Sequence, residues 1–504
     1  MRRPDFQRSA FIPKKTALAT LLLLSLAGCA VGPDYQRPAA GLPEAFVSVA
    51  AADSTPVAEA QEKEWWLLFQ DQELNALVTR ALAYNFDLQL AVARVEEAEG
   101  VMREAGAVFY PEIDLNTGAT RNQVSTRNAI PLSSSIPRLQ DNRNAALATS
   151  FEIDLWGKLR RANQAARADL LSSRYARATV ELTVAGLVAS NYLNLRAVDA
   201  NLMLTRSTLE SRQKALDIVN RRLEGGNASP IDLYQAEGTL AAAEAQLADL
   251  RRQRALAQNQ LALLTGQPGM TVVPGDLRLL PLPPLPPAGL PSSLLENRPD
   301  IRQAEETLVS ANARIGVAKA ALFPSLSLTG SMGSSSAALA NLFTAGAGTW
   351  SLGLAAAMPI FDAGRNFARI DQASARQKQA LVSYQKTVQT AFKEVNDALV
   401  SLQENGDGER AQQRRVQATG KTLELAQFRY EAGYSAFLEV LDAQRSANDA
   451  LLSYIAIRQA RLNSTVELFK SLGGGWKDDY KAVSLKNSGA EATPAPVVTA
   501  TGAK

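Results

Sequence analysis

The chain has 504 residues, a net charge of +3, one cysteine and no histidine. Cysteine–histidine nucleophiles, histidine general bases and cysteine or histidine metal sites are therefore excluded. Carboxylate chemistry stays open, but the composition favours a protein that is not an enzyme and that holds no metal or cofactor. Residues 1–28 carry five of the basic side chains and one acid, which leaves the remainder at −1 and predicts no nucleic-acid surface.

The N-terminal residues have the pattern of a targeting signal. Basic residues precede the apolar run ALATLLLLSLAG, which is too short to span a bilayer. Leu26-Ala27-Gly28-Cys29 follows and resembles a bacterial lipobox, which implies cleavage before Cys29, acylation of that cysteine and sorting to the outer membrane. An ordinary signal peptide with a chance cysteine is the alternative. We predict a signal peptide over 1–28 and an acylated N-terminal segment over 29–75.

Two parts of the chain repeat one sequence pattern. Residues 85–115 align without a gap on 298–328, and later residues of the first copy, up to 266, align on the second at an offset of 207. Glycine and proline positions stay in step, which chance similarity between alanine-rich helices would not produce. We predict structural repeats over 76–273 and 294–475, a Pro-rich connector over 274–293 and a disordered tail over 476–504.

Each repeat is predicted to contain two strands and two long helices. Alternating apolar and polar residues predict strands at about 111–122, 143–155, 324–333 and 348–360, and helices are predicted over 158–266 and 365–472. One strand face carries Phe151, Trp350, Leu352 and Leu354, and carboxylates lie on the other, which suits strands between lipid and water. A soluble, half-buried sheet is the alternative. If the strands do span a membrane, several chains must contribute four each, because open sheet edges do not occur in lipid.

Several motifs in order carry a resemblance to a known family. They are GCAVGPDYQRP, WWLLFQDQELNALVTRALAYNFDL (65–88), LLENRPDIRQAEETL (294–308), LFPSLSLTGS (322–331) and MPIFDAGR (358–365). From Cys29 to about Gly475 the chain resembles the TolC/OprM-like outer-membrane factors, and within them the acylated efflux-channel lipoproteins of the NodT-type branch.

The resemblance implies an α+β fold and a function. It implies a homotrimer in which each chain gives four strands to a 12-stranded outer-membrane β-barrel, continuous with a long periplasmic α-helical barrel. The protein would be the outer-membrane channel of a tripartite efflux system in a Gram-negative bacterium. It would dock on a periplasmic adaptor (membrane fusion) protein and an inner-membrane pump of the RND type, and pass drugs or other small molecules. Two alternatives stay open: a structural coiled-coil lipoprotein without a pore, and the duct of a protein-secretion system.

Two turns between long helices, 221–240 and 428–447, are the predicted functional region. Gly226 and Gly433 are predicted to end a helix, and Ser229 and Ser435 to cap the helix that follows. The resemblance implies that these helix tips contact the adaptor. Ordinary helix-hairpin turns are the alternative.

The resemblance also implies a periplasmic aperture. Glu439 and Asp442 match acidic positions that line the closed aperture, and one helical turn separates them. Asp232 and Tyr430 match positions that hold the aperture shut, whereas Ser435 replaces a basic residue of the better-studied relatives. A solvated surface carboxylate is the alternative for Glu439.

Overall fold

The computed structural model describes residues 30–39, 41–43, 46, 64–125, 127, 137–285 and 293–477. The predicted signal peptide and the lipobox cysteine Cys29 lie outside the described residues, as do residues 478–504 of the predicted tail. Within the described part of the chain, none of the helices combines the length and the apolar character that a bilayer crossing needs.

Helix α1 spans Gln72–Tyr84. After α1, a succession of one helix, two strands and two long helices occurs twice. The first succession comprises α2 Phe86–Ala107, β1 Glu112–Gln123, β2 Leu139–Ile153, α3 Lys158–Glu224 and α4 Pro230–Leu264. The second comprises α5 Pro299–Ala320, β3 Ser325–Ser336, β4 Gly348–Ala357, α6 Arg365–Glu431 and α7 Phe437–Ser471. Single turns of helix lie at Trp65–Phe69, Leu277–Leu279, Leu294–Asn297 and Leu339–Asn341.

Corresponding helices of the two successions have equal lengths. Helices α2 and α5 each have 22 residues, α3 and α6 each have 67, and α4 and α7 each have 35. At about 1.5 Å per residue, α3 and α6 are each roughly 100 Å long. The duplication predicted from the gapless offset is therefore present in the secondary structure, and the predicted α+β composition is confirmed.

Three strand ends differ from the prediction by three residues or more, and one of them is the end of β3, which lies at Ser336 and not at 333. Strand β2 begins at Leu139, ahead of the predicted start at 143, because its backbone pairing with β1 continues through residues that lack apolar alternation. Strand β4 ends at Ala357 and not at 360. Pro359 has no N–H to donate, which keeps the ladder from continuing there.

The four strands form one antiparallel sheet in the order β1-β2-β3-β4. The central pairing joins the two repeats, because β2 of the first lies beside β3 of the second, with Phe151 opposite Leu328. Each repeat thus supplies one hairpin, and the sheet requires both.

Residues opposite one another across the strands share a face of the sheet. One face carries, row by row, Leu115, Leu147, Met332 and Trp350, then Ile113, Thr149, Gly330 and Leu352, then Phe151, Leu328 and Leu354. The other face carries Asp114, Ala148, Ser331 and Ser351, and beside them Glu112, Ser150, Thr329 and Gly353. The register confirms that the predicted apolar residues form one continuous surface.

The chain divides into two compact units. The first consists of Met1–Pro38, Glu96–Ser172 and Glu305–Ser383 and contains the sheet, and the second consists of Ala39–Val95, Ser173–Ala304 and Tyr384–Lys504. Each unit takes segments from both repeats. The predicted boundaries at 273 and 294 therefore follow the duplication and not the compact units.

The second unit has an aromatic core that accounts for the WWLLF stretch. Trp65 is fully buried and stacks on Phe469 with the ring centroids 5.6 Å apart. Asp71 caps α1 by accepting two backbone N–H bonds of the first turn, and its other oxygen accepts from the Tyr192 hydroxyl at 2.6 Å. Burial, together with the Asp71 hydrogen bond, raises the pKa of the Tyr192 phenol, so this hydroxyl keeps its proton.

An arginine–carboxylate cluster in the second unit holds the chain that follows α4. Arg254 donates from Nε to Asp199 at 2.6 Å and from Nη2 to the carbonyl of Val272 at 2.9 Å. Asp199 also accepts from the backbone N–H of Gly275. The buried carboxylate therefore accepts one hydrogen bond from α4 and one from the segment that follows this helix.

A second arginine–carboxylate cluster, around Glu409, lies on the long helices of the second copy and also contacts the connector. Arg458 donates to Glu409 at 2.6 Å and to the carbonyl of Leu280 at 2.5 Å, and Arg461 donates to the second carboxylate oxygen at 2.6 Å. Arg461 corresponds to Arg254 at the offset of 207. The described part of the Pro-rich connector is thus tied to the long helices of both copies.

Candidate functional site

The predicted helix tips both lie in the second unit, and a glycine ends each long helix. Helix α3 stops at Glu224 and α6 at Glu431. Gly226 has φ of 75° and Gly433 has φ of 81°, which a residue with a Cβ adopts only at a cost. The predicted helix-stop role of both glycines is confirmed.

The first tip carries a complete capping box. The hydroxyl oxygen of Ser229 accepts from the backbone N–H of Asp232, and the Asp232 carboxylate accepts from the backbone N–H of Ser229 at 3.0 Å. Pro230 occupies the first helical position, where a missing N–H costs nothing. The prediction that Ser229 caps the helix is confirmed. The Asp232 carboxylate is part of this cap and therefore hydrogen-bonds within the first turn of α4.

The prediction for Ser435 is wrong. The N-cap of α7 is Ala436, which makes no side-chain capping bond, and the Ser435 hydroxyl is buried without a hydrogen-bond partner among the described residues. The offset of 207 explains the error, because it places Ala436 and not Ser435 opposite Ser229. The serine stands one residue too early to reach the N–H groups of the first turn.

Replacing Ala436 with serine is expected to stabilise the second tip by about 1 kcal/mol. Residues 436–439 would then read S-F-L-E, which is a capping-box sequence with Glu439 at its third position. Amide hydrogen exchange in the first turn of α7 should slow by about fivefold relative to the unchanged chain.

Ser435→Ala is the matched control for this prediction. It removes a hydroxyl that makes no bond among the described residues, so exchange in the same turn should stay unchanged or slow slightly. Faster exchange in Ser435→Ala would show that Ser435 is the functional cap after all.

The two predicted aperture acids are exposed, and each lies beside an arginine of its own chain. The Glu439 side chain is 46% exposed and lies 3.6 Å from Arg429, and Asp442 is 62% exposed and lies 2.6 Å from Arg445. Sequence reasoning missed both arginines. The i,i+3 spacing of Asp442 and Arg445 could have predicted their ion pair. The pair between Arg429 and Glu439 joins two helices, and no local spacing predicts it.

The structure does not bring the two predicted latch residues together within the chain. Among the described residues no hydrogen bond joins Asp232 to Tyr430. The Tyr430 ring instead lies under the guanidinium of Arg222, 4.4 Å from its centroid, and 5.5 Å from the ring of Phe437. Arg222 is a further residue that the sequence analysis did not single out.

A groove of about 420 Å³ runs beside the acidic pair. It is lined by side chains of α3, α4 and α7, including Arg212, Thr239, Leu438 and Asp442. Gly238 lies on the groove wall two turns after the start of α4, and a Cβ built there would meet no heavy atom within 4 Å. A glycine in a helix interior costs stability relative to alanine, so its presence keeps this part of the groove open at some expense.

These features define a class of protein. The chain has an internal duplication, a sheet with one apolar face, and two long helices that end in paired turns, which is the architecture of an outer-membrane channel. The model of the outer membrane efflux protein family matches residues 77–267 and 290–474, which cover most of the chain.

Known proteins resemble the chain over almost their whole length. It is 35% identical over 465 residues to the cation efflux system protein CusC of Escherichia coli O6:H1, covering 90% of this chain and 97% of CusC. It is 36% identical over 471 residues to the solvent efflux pump outer membrane protein SrpC of Pseudomonas putida, covering 92% and 99%. The crystal structure of the Campylobacter jejuni CmeC outer membrane channel matches with a TM-score of 0.84 at 26% identity, covering 91% and 98%.

The chain belongs to the outer membrane efflux protein family. It is the outer-membrane channel of an efflux system in a Gram-negative bacterium, and its helical portion lies in the periplasm. The predicted family, fold class and general function are confirmed. The similarities support neither a pore-free lipoprotein nor a protein-secretion duct.

Proposed function

We propose that three copies of this chain form the exit duct of a tripartite efflux pump. The observation that carries the proposal is the sheet itself, since the described residues provide β1 and β4 with a partner strand on one side only. Unpaired edges are not tolerated in lipid, and four strands are too few to surround water. Pairing β4 of one copy with β1 of the next satisfies both edges and closes twelve strands.

In the closed twelve-stranded barrel, one face of each sheet points outward and the other points inward. The row of Leu115, Leu147, Met332 and Trp350 then faces lipid, and the row of Asp114, Ser331 and Ser351 faces the water-filled interior. Native mass spectrometry of the purified channel in detergent tests the assembly. A mass of three chains supports the proposal, and a monomer or dimer contradicts it.

The duct docks at its helix tips on a periplasmic adaptor protein, which links it to an inner-membrane pump of the RND type. The groove beside Gly238 and the exposed side chains of Ile231, Tyr234 and Leu438 support this assignment. A helical hairpin of a partner approaches most closely where a helix carries glycine.

Photo-cross-linking tests the docking site. The photoreactive residue p-benzoylphenylalanine at Gly238 should cross-link in cells to an adaptor of the membrane fusion type, identified by mass spectrometry. Gly420 is the control position, because it is equally open but lies on α6 outside the groove. Equal adaptor yields from both positions, or none from Gly238, would contradict the proposed contact.

The aperture of the duct is lined by Glu439 and Asp442 from all three copies, which form two rings of carboxylates. Such rings favour cations over anions. In this chain Arg429 and Arg445 lie beside the acids, so the rings carry less net charge than six isolated carboxylates. Glu439→Ala combined with Asp442→Ala is expected to lower cation selectivity in planar bilayers and to abolish block by hexamminecobalt(III).

Removing the two arginines is the matched control for the acidic rings. Arg429→Ala combined with Arg445→Ala should raise cation selectivity and strengthen the hexamminecobalt(III) block, while the trimer mass stays the same. Unchanged selectivity in both double variants would place these side chains away from the aperture.

Asp232 and Tyr430 act as the latch between neighbouring copies. Because Asp232 also closes the capping box of the first tip, its replacement would disturb the turn itself. Tyr430→Phe is the cleaner test, since it keeps the ring contacts with Arg222 and Phe437 and removes only the hydroxyl. A raised open fraction in single-channel records supports the latch.

Cys29 anchors the mature chain through its lipid. The residues directly after Cys29 contact the region that follows β2, and these contacts support a position of the lipid near the sheet. Val31 donates to the carbonyl of Trp156 at 2.9 Å, Asp34 accepts from Arg161 at 2.6 Å, and a Cβ at Gly157 would lie 2.9 Å from Ala30. The residue after Cys29 is therefore held just beyond the end of β2, in the unit that contains the sheet. Mass spectrometry of the purified N-terminus should find a diacylglycerol and an acyl chain on Cys29; an unmodified cysteine would overturn the anchor.

A further inference from the structure

A cavity of about 700 Å³ lies within the second unit, away from the helix tips. Its walls come from the Trp65–Phe69 turn, the junction of α1 and α2, one side of α3 and the glycines after α7. Three of the five tryptophans of the chain line it, together with Leu88 and Leu182. A volume of this size and an apolar lining are typical of small-molecule sites.

One buried polar atom of the cavity wall has no hydrogen-bond partner among the described residues, whereas the other polar groups are paired or lie at the edge. Asn85 donates to the carbonyl of Leu264 at 2.9 Å and accepts two backbone N–H bonds, so both its amide nitrogen and its amide oxygen have partners. Arg177 and Glu181 pair at 3.0 Å on the rim. The exception is the indole N–H of Trp65, which is buried and has no hydrogen-bond partner among the described residues.

The Trp65 N–H lies close to the glycine segment that follows α7. A Cβ at Gly474 would stand 3.4 Å from Trp65 Nε1 and 2.4 Å from the Leu182 side chain. Gly473, Gly474 and Gly475 all have positive φ, with values of 98°, 58° and 69°. Glycine is therefore required at Gly474 by both space and backbone, and this backbone lies next to the Trp65 donor at the cavity wall.

The charges on the rim restrict the ligand further. Glu64 is exposed on the cavity edge, and the Arg177–Glu181 pair is neutral as a unit, so the rim carries one net negative charge. An anion such as a fatty acid is repelled from such an entrance. A buried donor without an acceptor costs stability that a ligand with one acceptor restores.

We propose that this cavity binds a neutral, apolar molecule that carries one hydrogen-bond acceptor, such as an aromatic ketone or ester, and that Trp65 donates to it. Binding moves the Gly473–Gly475 segment slightly, because Trp65 itself is closed to solvent without a ligand. The site is separate from the proposed aperture and adaptor groove, and it belongs to a different set of residues.

Fluorine NMR of the full channel labelled with 5-fluorotryptophan tests the site. The probe is 2-acetonaphthone, and 2-ethylnaphthalene is a ligand of similar shape without an acceptor. Trp65, Trp66 and Trp476 should shift saturably with the ketone, whereas Trp350 on the sheet reports simple partition into detergent. We expect the ketone to bind about tenfold more tightly than the hydrocarbon, as one hydrogen bond implies.

Variants of the chain give the matching controls. Ala83→Phe fills the cavity from an exposed wall position and should abolish the saturable shift, whereas Ala93→Phe, exposed on α2 but off the wall, should preserve it. Trp65→Phe should weaken ketone binding about tenfold when followed at Trp476 and leave hydrocarbon binding unchanged. The absence of any saturable shift, its persistence in Ala83→Phe, or equal affinity for the two probes would overturn the proposal.

Discussion

Leu352→Arg is expected to destabilise the assembled channel by about 2–4 kcal/mol, the cost of a basic side chain near the bilayer midplane. Leu352 lies in β4 on the apolar face, in the row that begins with Ile113, and its side chain is 74% exposed in the single chain. In the proposed trimer this exposed surface meets lipid, where a guanidinium loses its hydration.

Ser351→Arg is the matched change one residue earlier in the same strand. Ser351 is on the opposite face, where its hydroxyl hydrogen-bonds that of Ser331 at 2.8 Å. An arginine there points into water, and the expected loss is below about 1 kcal/mol.

Urea unfolding of both variants in lipid vesicles, followed by tryptophan fluorescence, measures the two costs. A large loss for Leu352→Arg with a small loss for Ser351→Arg supports lipid on the apolar face. Equal losses would mean that the sheet has water, or protein, on both faces and would contradict the proposed assembly.

Glu409→Gln is expected to cost about 3 kcal/mol of folding stability at neutral pH. The Glu409 side chain is only 6% exposed and its two oxygens accept from Arg458 and Arg461, both at 2.6 Å. Glutamine leaves these two guanidinium groups without a counter-charge in a buried place. It also weakens the tether from Arg458 to the connector at Leu280.

The same cluster predicts a dependence on pH. Burial alone raises the pKa of Glu409, but the hydrogen bonds from Arg461 and Arg458 outweigh it, and the pKa lies below the ordinary value of 4.5. A carboxyl with a lowered pKa in the folded state stabilises the fold fully above its unfolded pKa. That contribution is lost as the pH falls through the folded value.

Thermal unfolding of the wild type and Glu409→Gln, at neutral pH and again below pH 4, measures both effects. The difference in melting temperature should be large at neutral pH and should shrink in acid, as the wild-type carboxylate takes up a proton. Glu404→Gln is the control, because Glu404 is exposed on the same helix. A difference between wild type and Glu409→Gln that is independent of pH would show that packing, and not charge, is the contribution of Glu409.

The features predicted correctly from sequence are those that depend on residues close together in the chain. Alternation along a strand determined which side chains share a face, as for Trp350, Leu352 and Leu354. Glycine at positive φ determined where the long helices end, at Gly226 and Gly433, and Pro230 with Ser229 marked the start of the next helix. These signals depend on backbone sterics and on hydrogen bonds within one turn, so a few residues contain all the information.

The failure at Ser435 shows the limit of reading residue types without their position. A serine lies near the start of α7, but a capping bond needs it at one position only, and that position holds Ala436. The alignment of the two repeats contained the correct answer, because the offset pairs Ala436 with Ser229.

By itself, the sequence determined the duplication, the order of helices and strands, the helix-ending glycines and the family. Only the tertiary structure decided that β2 pairs with β3 across the repeats, that Arg222 covers Tyr430 and that Glu409 anchors the connector. It also decided that the Trp65 N–H, which has no partner in the described part of the chain, lies beside a cavity. The reason is physical. Each of these contacts joins residues far apart in the chain, and which partners meet depends on the packing of all the elements together, which no local pattern encodes.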